Sequence, residues 1–386
     1  MSTFPPVKLA MRNAFRVEDW IHNSRVRSVR RRGYRMVVEP YTGYGSTEWV
    51  RILARVQMAP PPLLMPKVLV ERRERRERTV RGWRAFTRIA AAHSSVTVKI
   101  GSTTHRVTAD RGGVIDINLP ASLRPGWQEI SLESADGFVT TAPVFIVDPK
   151  QRVGIVSDID DTVMVTALPR PLLAAWNTFV LDVHARTPTP GMNVFDERLL
   201  DAFGHGTTPV IYLSTGPWNV APTLARFLGR NVYPAGPLLL TDWGPTPDRF
   251  FRSGYDHKVE NLRRLAAEFP NIKWILIGDD GQHDEEIYGN FAREFPDHVK
   301  AVAIRRLSPS EAILAQGARS ILPEEEGPKE DGIEVPWFSA PDGAGLIDAF
   351  RGAGMLAEPE ALRIEEEERE EFLAEMDARE STYDPQ

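Results

Sequence analysis

The stretch Val153-Gly154-Ile155-Val156-Ser157-Asp158-Ile159-Asp160-Asp161-Thr162 runs a buried-type apolar segment straight into a loop crowded with carboxylates. Three more apolar runs follow: PVIYLS (209–214), KWILIG (273–278) and VKAVAI (299–304). Between them lie segments of helix length, among them AAWNTFVLDVHA (174–185), NVAPTLARFLGR (219–230), DHKVENLRRLAAEF (256–269) and DEEIYGNFAREF (284–295). Continuous apolar strands alternating with helices predict βαβ units and a parallel sheet covered on both faces. Ligands of such open sheets bind at the carboxyl ends of the strands. The chemistry is therefore sought in the residues that end each apolar run.

Asp158 and Asp160 follow the first run, two residues apart on a tight loop. In that arrangement Asp158 can attack phosphorus as a nucleophile. Asp160 can protonate the leaving oxygen and then activate water. Taken alone, such a pair is equally at home in an ordinary loop. The second run ends in Ser214-Thr215-Gly216-Pro217-Trp218 before a helical segment. Hydroxyls and backbone N–H groups there can cradle a phosphate, although Ser and Thr also cap ordinary helices. Lys258 reads as lying near a helix start, where a cation gains little from the dipole, and so points to an anion. The third run ends in Gly278-Asp279-Asp280-Gly281-Gln282-His283-Asp284. Up to five carboxylates would then meet at one sheet edge. Two like charges about 4 Å apart repel by about 4 kcal/mol at an effective dielectric of about 20. A cation resolves that conflict, and an all-oxygen set without cysteine favours Mg²⁺ over zinc.

Working upstream, residues 34–148 hold seven short alternating or apolar runs, from YRMVVEP (34–40) to APVFIVD (142–148), separated by turn-like TGYGS, DRGG and RPG. This predicts an all-β sandwich. ERRERRERTVRGWR (71–84) reads as a solvated face. Residues 8–32 read as a helix with an arginine-loaded end, packed on its neighbour in preference to lying in a membrane. The predicted organisation is a basic helix (1–33), the β domain (34–149), the parallel-sheet core (150–322), and a linker with an acidic helical tail (323–386).

The 386 residues are 42% hydrophobic and 26% charged, which excludes a disordered chain. Absence of cysteine excludes disulfides and thiolate chemistry. The net charge of −6 conceals 20 basic against 7 acidic residues over 1–90, and 3 against 12 over 355–386. The early charges of the N-terminus argue against a secretory signal, so a cytoplasmic protein is expected.

The order strand-DxDxT, strand-Ser, Lys, strand-GDD, with gaps of 56, 44 and 21 residues, resembles the haloacid dehalogenase superfamily. That resemblance implies a Rossmann-like core and Mg²⁺ held by Asp158, Asp279 and the carbonyl of Asp160. It also implies an aspartyl-phosphate on Asp158, acid/base work by Asp160, and phosphate contacts by Ser214 and Lys258. More narrowly, SDIDDTVMVT, RTPTPGM, YLSTGPWN, FPNIKWILIGDDGQHDEEIY and VKAVAIRRL, behind a β domain opened by PYTGYGS, resemble the bacterial branch of the actin-patch phosphatidate phosphatase family. Two positions depart from its pattern. Gly216 stands where that family usually has Ser, and Asp280 stands where it usually has Ser.

The implied reading is a capless Mg²⁺-dependent phosphomonoesterase acting on phosphatidate or a related lipid phosphate. Substrate contacts are assigned to Thr162, Ser214, Thr215, Gly216 and Lys258, with Asp280 and Asp284 in support. Peripheral membrane contact is expected, and no nucleic-acid partner. A soluble phosphometabolite or a phosphoprotein remains the alternative substrate. Alternatives of another class are a receiver-like domain and a catalytically weak anion-binding module. Trp176, Phe179, Trp218, Trp243, Phe250 and Phe251 fall on segments near the expected mouth.

Overall fold

Helix α1 (24–31) turns Val26 and Val29 onto the core of the first sheet and leaves Arg25, Arg27, Arg30 and Arg31 exposed. Of the helix expected over 8–32, residues 8–23 lie outside the described residues. The computed structural model describes residues 24–60, 89–165, 187–241, 247–281, 283–308, 311 and 335–357. Eight strands follow α1: β1 (Arg35–Pro40), β2 (Gly43–Gly45), β3 (Trp49–Ala59), β4 (Ser95–Ile100), β5 (Thr103–Thr108), β6 (Val114–Pro120), β7 (Gly126–Ser134) and β8 (Val139–Ile146). They hydrogen-bond into one sheet whose inward side chains share one buried cluster. Strand β3 carries β1 and β2 along one edge and β6 along the other, since Val50, Arg51, Ala54 and Arg55 pair in both directions. Alternation along β4 buries Val96, Val98 and Ile100 against Ile130 and Leu132.

Strand β2 lies within TGYGS, which reads as a turn. It is three residues long and pairs antiparallel with β3 and parallel with β8. Its glycines are there for closeness of approach. A Cβ on Gly43 would stand 2.9 Å from Val144 Cγ1.

The second sheet is built from β9 (Val153–Asp158), β12 (Val210–Pro217), β13 (Leu238–Thr241), β14 (Lys273–Asp279), β15 (Val299–Arg305) and β16 (Trp337–Ala340). A small antiparallel pair, β10 (Met164–Val165) and β11 (Thr187–Pro188), lies beside it in sequence. The helices are α2 (Met192–Phe203), α3 (Ala221–Arg230), α4 (Pro247–Glu268), α5 (Asp284–Glu294) and α6 (Gly343–Gly352). All pairs within the six-stranded sheet are parallel, in the order β13-β12-β9-β14-β15-β16. Burial on both faces explains the unbroken apolar runs: Ile155, Val156, Ile211, Leu213 and Ile275 to Ile277 are at most 1% exposed.

The sheet continues past residue 322, where the sequence had suggested that it ends. Strand β16 and α6 join it, and Ala340, Leu346 and Phe350 enter its core. The acidic segment before β16 has linker composition, which masks a four-residue strand. The two sheets meet directly. Tyr41, Tyr44, Leu53 and Phe145 belong to the same buried cluster as the parallel-sheet core. Among the described residues no helix is long and apolar enough to cross a membrane.

Candidate active site at the strand ends

Parallel register places Ser157 of β9 opposite Tyr212 of β12 and Ile277 of β14. The three strands therefore deliver Asp158, Ser214 and Asp279 to one edge. Oxygens of Asp158, Asp279 and Asp284 lie within 4.8 Å of one another, and all three residues are at most 1% exposed. Lys258 Nζ lies 2.6 Å from Asp158 Oδ1 and 2.5 Å from Asp284 Oδ1. The contact with Asp158 is an ion pair without hydrogen-bond alignment, whereas that with Asp284 is an aligned hydrogen bond. Asp158 Oδ2 is buried and has no hydrogen-bond partner.

Asp160 points to a different neighbour. Its Oδ2 accepts from Ser214 Oγ at 2.9 Å, and Ser214 Oγ accepts in turn from Gly216 N–H at 3.0 Å. The Ser214–Pro217 loop thus uses two of its predicted contact groups to hold itself and Asp160. Thr215 and Gly216 are pinned through their carbonyls by Thr241 Oγ1, at 2.9 and 3.3 Å. The Thr215 side chain faces α4, since a Cβ on Gly254 would stand 3.0 Å from Thr215 Cγ2. A 3₁₀ turn (Trp218–Val220) separates this loop from α3, so the loop is not itself the helix N-terminus. Thr162 Oγ1 is fully buried and donates to Asp279 Oδ2 at 3.5 Å.

Two placements differ from the sequence reading. Lys258 is the twelfth residue of α4, which begins at Pro247, and does not lie at a helix start. Gly254 and the preceding prolines give that segment a loop-like composition. Asp280 turns away from the carboxylate cluster and accepts from Leu307 N–H at 2.8 Å. Successive strand-end side chains face opposite ways, so Asp279 and Asp280 cannot both point inward. Asp284 takes the third position instead, at the start of α5, where its charge suits the helix dipole.

One residue at this edge lies within a quoted motif, VKAVAIRRL, but was assigned no role from sequence. Arg305 ends β15, is 4% exposed, and donates from Nη1 to the carbonyl of Asp161 at 2.6 Å. Its signal was available, because it directly follows the apolar run VKAVAI. The segments 71–84 and 170–184, the acidic tail from 358 and the side chains of Trp176, Phe179, Trp243, Phe250 and Phe251 lie outside the described residues.

The electrostatics follow from burial. Desolvation raises Asp158 well above the ordinary carboxylate range; Lys258 opposes this, and Asp284 and Asp160 add to it. Asp279 is raised by burial and then by Asp284 and Asp158. Burial works to lower Lys258, but Asp158 and Asp284 together carry it well above its ordinary value. All three carboxylates ionised would outweigh the one lysine, which is why burial and mutual repulsion push Asp158 and Asp279 toward the protonated form. An unpartnered carboxylate oxygen inside an all-oxygen cluster fits a hard divalent cation.

Residues 153–306 match the family described as phosphatidate phosphatase APP1, catalytic domain. The chain resembles the actin-patch phosphatidate phosphatases. It is 29% identical to phosphatidate phosphatase APP1 of Saccharomyces cerevisiae over 210 residues, covering 53% of this chain and 35% of the yeast protein. An uncharacterized protein of Schizosaccharomyces pombe is 27% identical over 161 residues, covering 40% of this chain and 25% of that protein. The matched part therefore spans about a third or less of these relatives' length. Among solved structures, carbohydrate acetylesterase XAC1771 of Xanthomonas citri aligns over 70% of this chain and 68% of its own at 10% identity. Its TM-score of 0.27 carries no argument.

Proposed function

We propose that this chain is a capless, haloacid dehalogenase-type phosphomonoesterase that hydrolyses phosphatidate or a closely related lipid phosphate. One observation carries the reading. A buried carboxylate, Asp158, keeps Oδ2 unpartnered beside Lys258, while Asp160 two residues on is held apart by Ser214. In the first step an Asp158 oxygen bonds to phosphorus as the ester P–O bond breaks, and Asp160 protonates the departing oxygen to give the free alcohol. In the second, Asp160 takes a proton from water, whose oxygen attacks phosphorus. The bond to Asp158 breaks and inorganic phosphate leaves.

Asp158, Asp279 and Asp284, with the carbonyl of Asp160, would hold Mg²⁺. Bound there, it supplies positive charge against a phosphate dianion. Lys258 orients Asp158 and offsets its charge. Thr162 orients Asp279, and the Ser214–Gly216 loop shapes the phosphate end of the site. The exposed arginines of α1 favour a peripheral contact with anionic lipid, consistent with a cytoplasmic enzyme working at a membrane surface.

The test is phosphate release in Mg²⁺ across phosphatidate, lysophosphatidate, sugar phosphates, nucleotides and phosphopeptides, with Asp158→Asn as the blank. Preferential release from the lipids, with surface-dilution kinetics in mixed micelles, supports the reading. Preference for a soluble ester removes the lipid assignment, and release undiminished in Asp158→Asn removes the nucleophile.

A further inference from the structure

The groups assigned to phosphate sit on two arms, the Ser214–Pro217 segment and helix α4 with Lys258, and the strand unit grips both. Tyr41, between β1 and β2, is anchored by its own N–H to Leu53 O at 2.9 Å. Its hydroxyl donates to the carbonyl of Trp218 at 3.1 Å, and its ring stacks on the Trp218 ring with centroids 5.2 Å apart and planes 12° from parallel. Both residues are buried, at 7% and 5% exposure. Trp218 is the residue directly after Pro217, so Tyr41 fixes the exit of the phosphate loop while Thr241 fixes its middle.

The second arm is held in the same manner. Glu268, at the end of α4, accepts from Tyr44 Oη at 2.9 Å and from Arg51 Nη1 at 2.8 Å. Arg264 of the same helix pairs with Asp116 at 3.4 Å. Tyr41, Tyr44 and Arg51 all belong to one tightly paired corner of the first sheet, where β2 lies between β3 and β8. A rigid sheet corner thus spans the loop that carries Ser214 and the helix that carries Lys258.

We propose that the strand unit is a brace for the phosphate site, and that Tyr41 is the positioning residue through which it sets the Ser214–Pro217 loop. This rests on the reading of that loop as the phosphate end of the site. The physical ground is geometric: binding groups must be held to about half an ångström, and a displacement of about 1 Å is costly. A hydrogen bond and a ring stack at the loop exit supply that restraint from outside the catalytic sheet. Tyr41 touches no reacting atom. Its effect runs through Trp218.

Two variants separate its contributions. Tyr41→Phe keeps the stack and drops the hydrogen bond, and Tyr41→Ala drops both. For each, the dissociation constant of inorganic phosphate is measured by calorimetry in Mg²⁺, kcat and KM on a short-chain monomeric phosphatidate, and the melting temperature. Tyr41→Phe should raise KM and the phosphate dissociation constant about three- to tenfold, the loss of one ordinary hydrogen bond, with kcat within about twofold. Tyr41→Ala should raise both more than about tenfold.

Unchanged phosphate affinity and KM in both variants, whatever the melting temperature does, overturns the proposal and leaves Tyr41 as interface packing. Wild-type protein that binds phosphate but hydrolyses no ester defeats the functional reading alone, and the affinity ratios still decide Tyr41. Wild-type protein that binds no phosphate overturns both.

Discussion

Arg305 Nη1 donates to the main-chain oxygen of Asp161 at 2.6 Å, and Asp161 itself holds a left-handed φ of 60°. A non-glycine residue in that region costs about 1–3 kcal/mol. It persists here because its carbonyl is fixed by a guanidinium whose other nitrogens reach Glu311 at 2.7 Å and Pro341 O at 3.3 Å. Lysine keeps the charge but cannot fork to three partners. Arg305→Lys should lower kcat about tenfold and stability by about 1–3 kcal/mol. Steady-state kinetics and urea melts check both, and an unchanged kcat would show that the loop holds its shape without the fork.

Lys258 stands between Asp158 and Asp284 with almost no exposure. Lys258→Ala strips both carboxylates of their buried cation, which typically costs about 3–5 kcal/mol. A metal ion at the same cluster offsets that loss, so MgCl₂ should raise the melting temperature of the variant more than that of the wild type. Melting curves that ignore Mg²⁺ in both proteins would argue against a cation among Asp158, Asp279 and Asp284.

Asp196 on α2 is fully buried, and neither carboxyl oxygen has a hydrogen-bond partner. Burial, helped by Glu197, pushes its pKa from 3.8 up to about 8. Between those values the folded state retains a proton that the unfolded chain sheds. Its contribution to stability is therefore lost as pH rises from about 4 to about 8. Asp196→Asn carries no such charge, so its melting temperature should gain on the wild type across that window and level off above it. A gap that is constant with pH would contradict this.

Gly254 lies inside α4, where alanine ordinarily adds up to about 1 kcal/mol. Here the new Cβ would stand 3.0 Å from Thr215 Cγ2, tight enough to displace the Ser214–Pro217 loop. Gly254→Ala should therefore raise KM severalfold even where the melting temperature holds or rises. Equal KM values in the two proteins would mean that Thr215 yields without consequence.

The parallel sheet was legible because strands buried on both faces cannot avoid being apolar throughout, and Asp158, Ser214 and Asp279 each end such a run. Their meeting at one edge followed from topology alone. Lys258 was found by its order in the chain, although its helix starts eleven residues before it, at Pro247. Arg305 was given no role although it ends an apolar run, because the partner that defines its role, the Asp161 carbonyl, is a main-chain atom 144 residues away. Asp280 was over-read: adjacency to Asp279 looked like collaboration, while strand alternation sends it to Leu307. Strand β2 was invisible for another reason. Glycines that permit close strand approach are the same residues that make a turn.

Strand β16 adds the last row to the parallel sheet beside β15, from residues 337–340. Until that part of the chain leaves the ribosome, Val302 to Arg305 present open N–H and C=O groups along an apolar rim, an invitation to pair with a neighbouring nascent chain. A version stopped at 322 would keep every residue assigned to catalysis and yet be expected to precipitate, so expression trials aimed at the parallel-sheet core should retain the chain through 357.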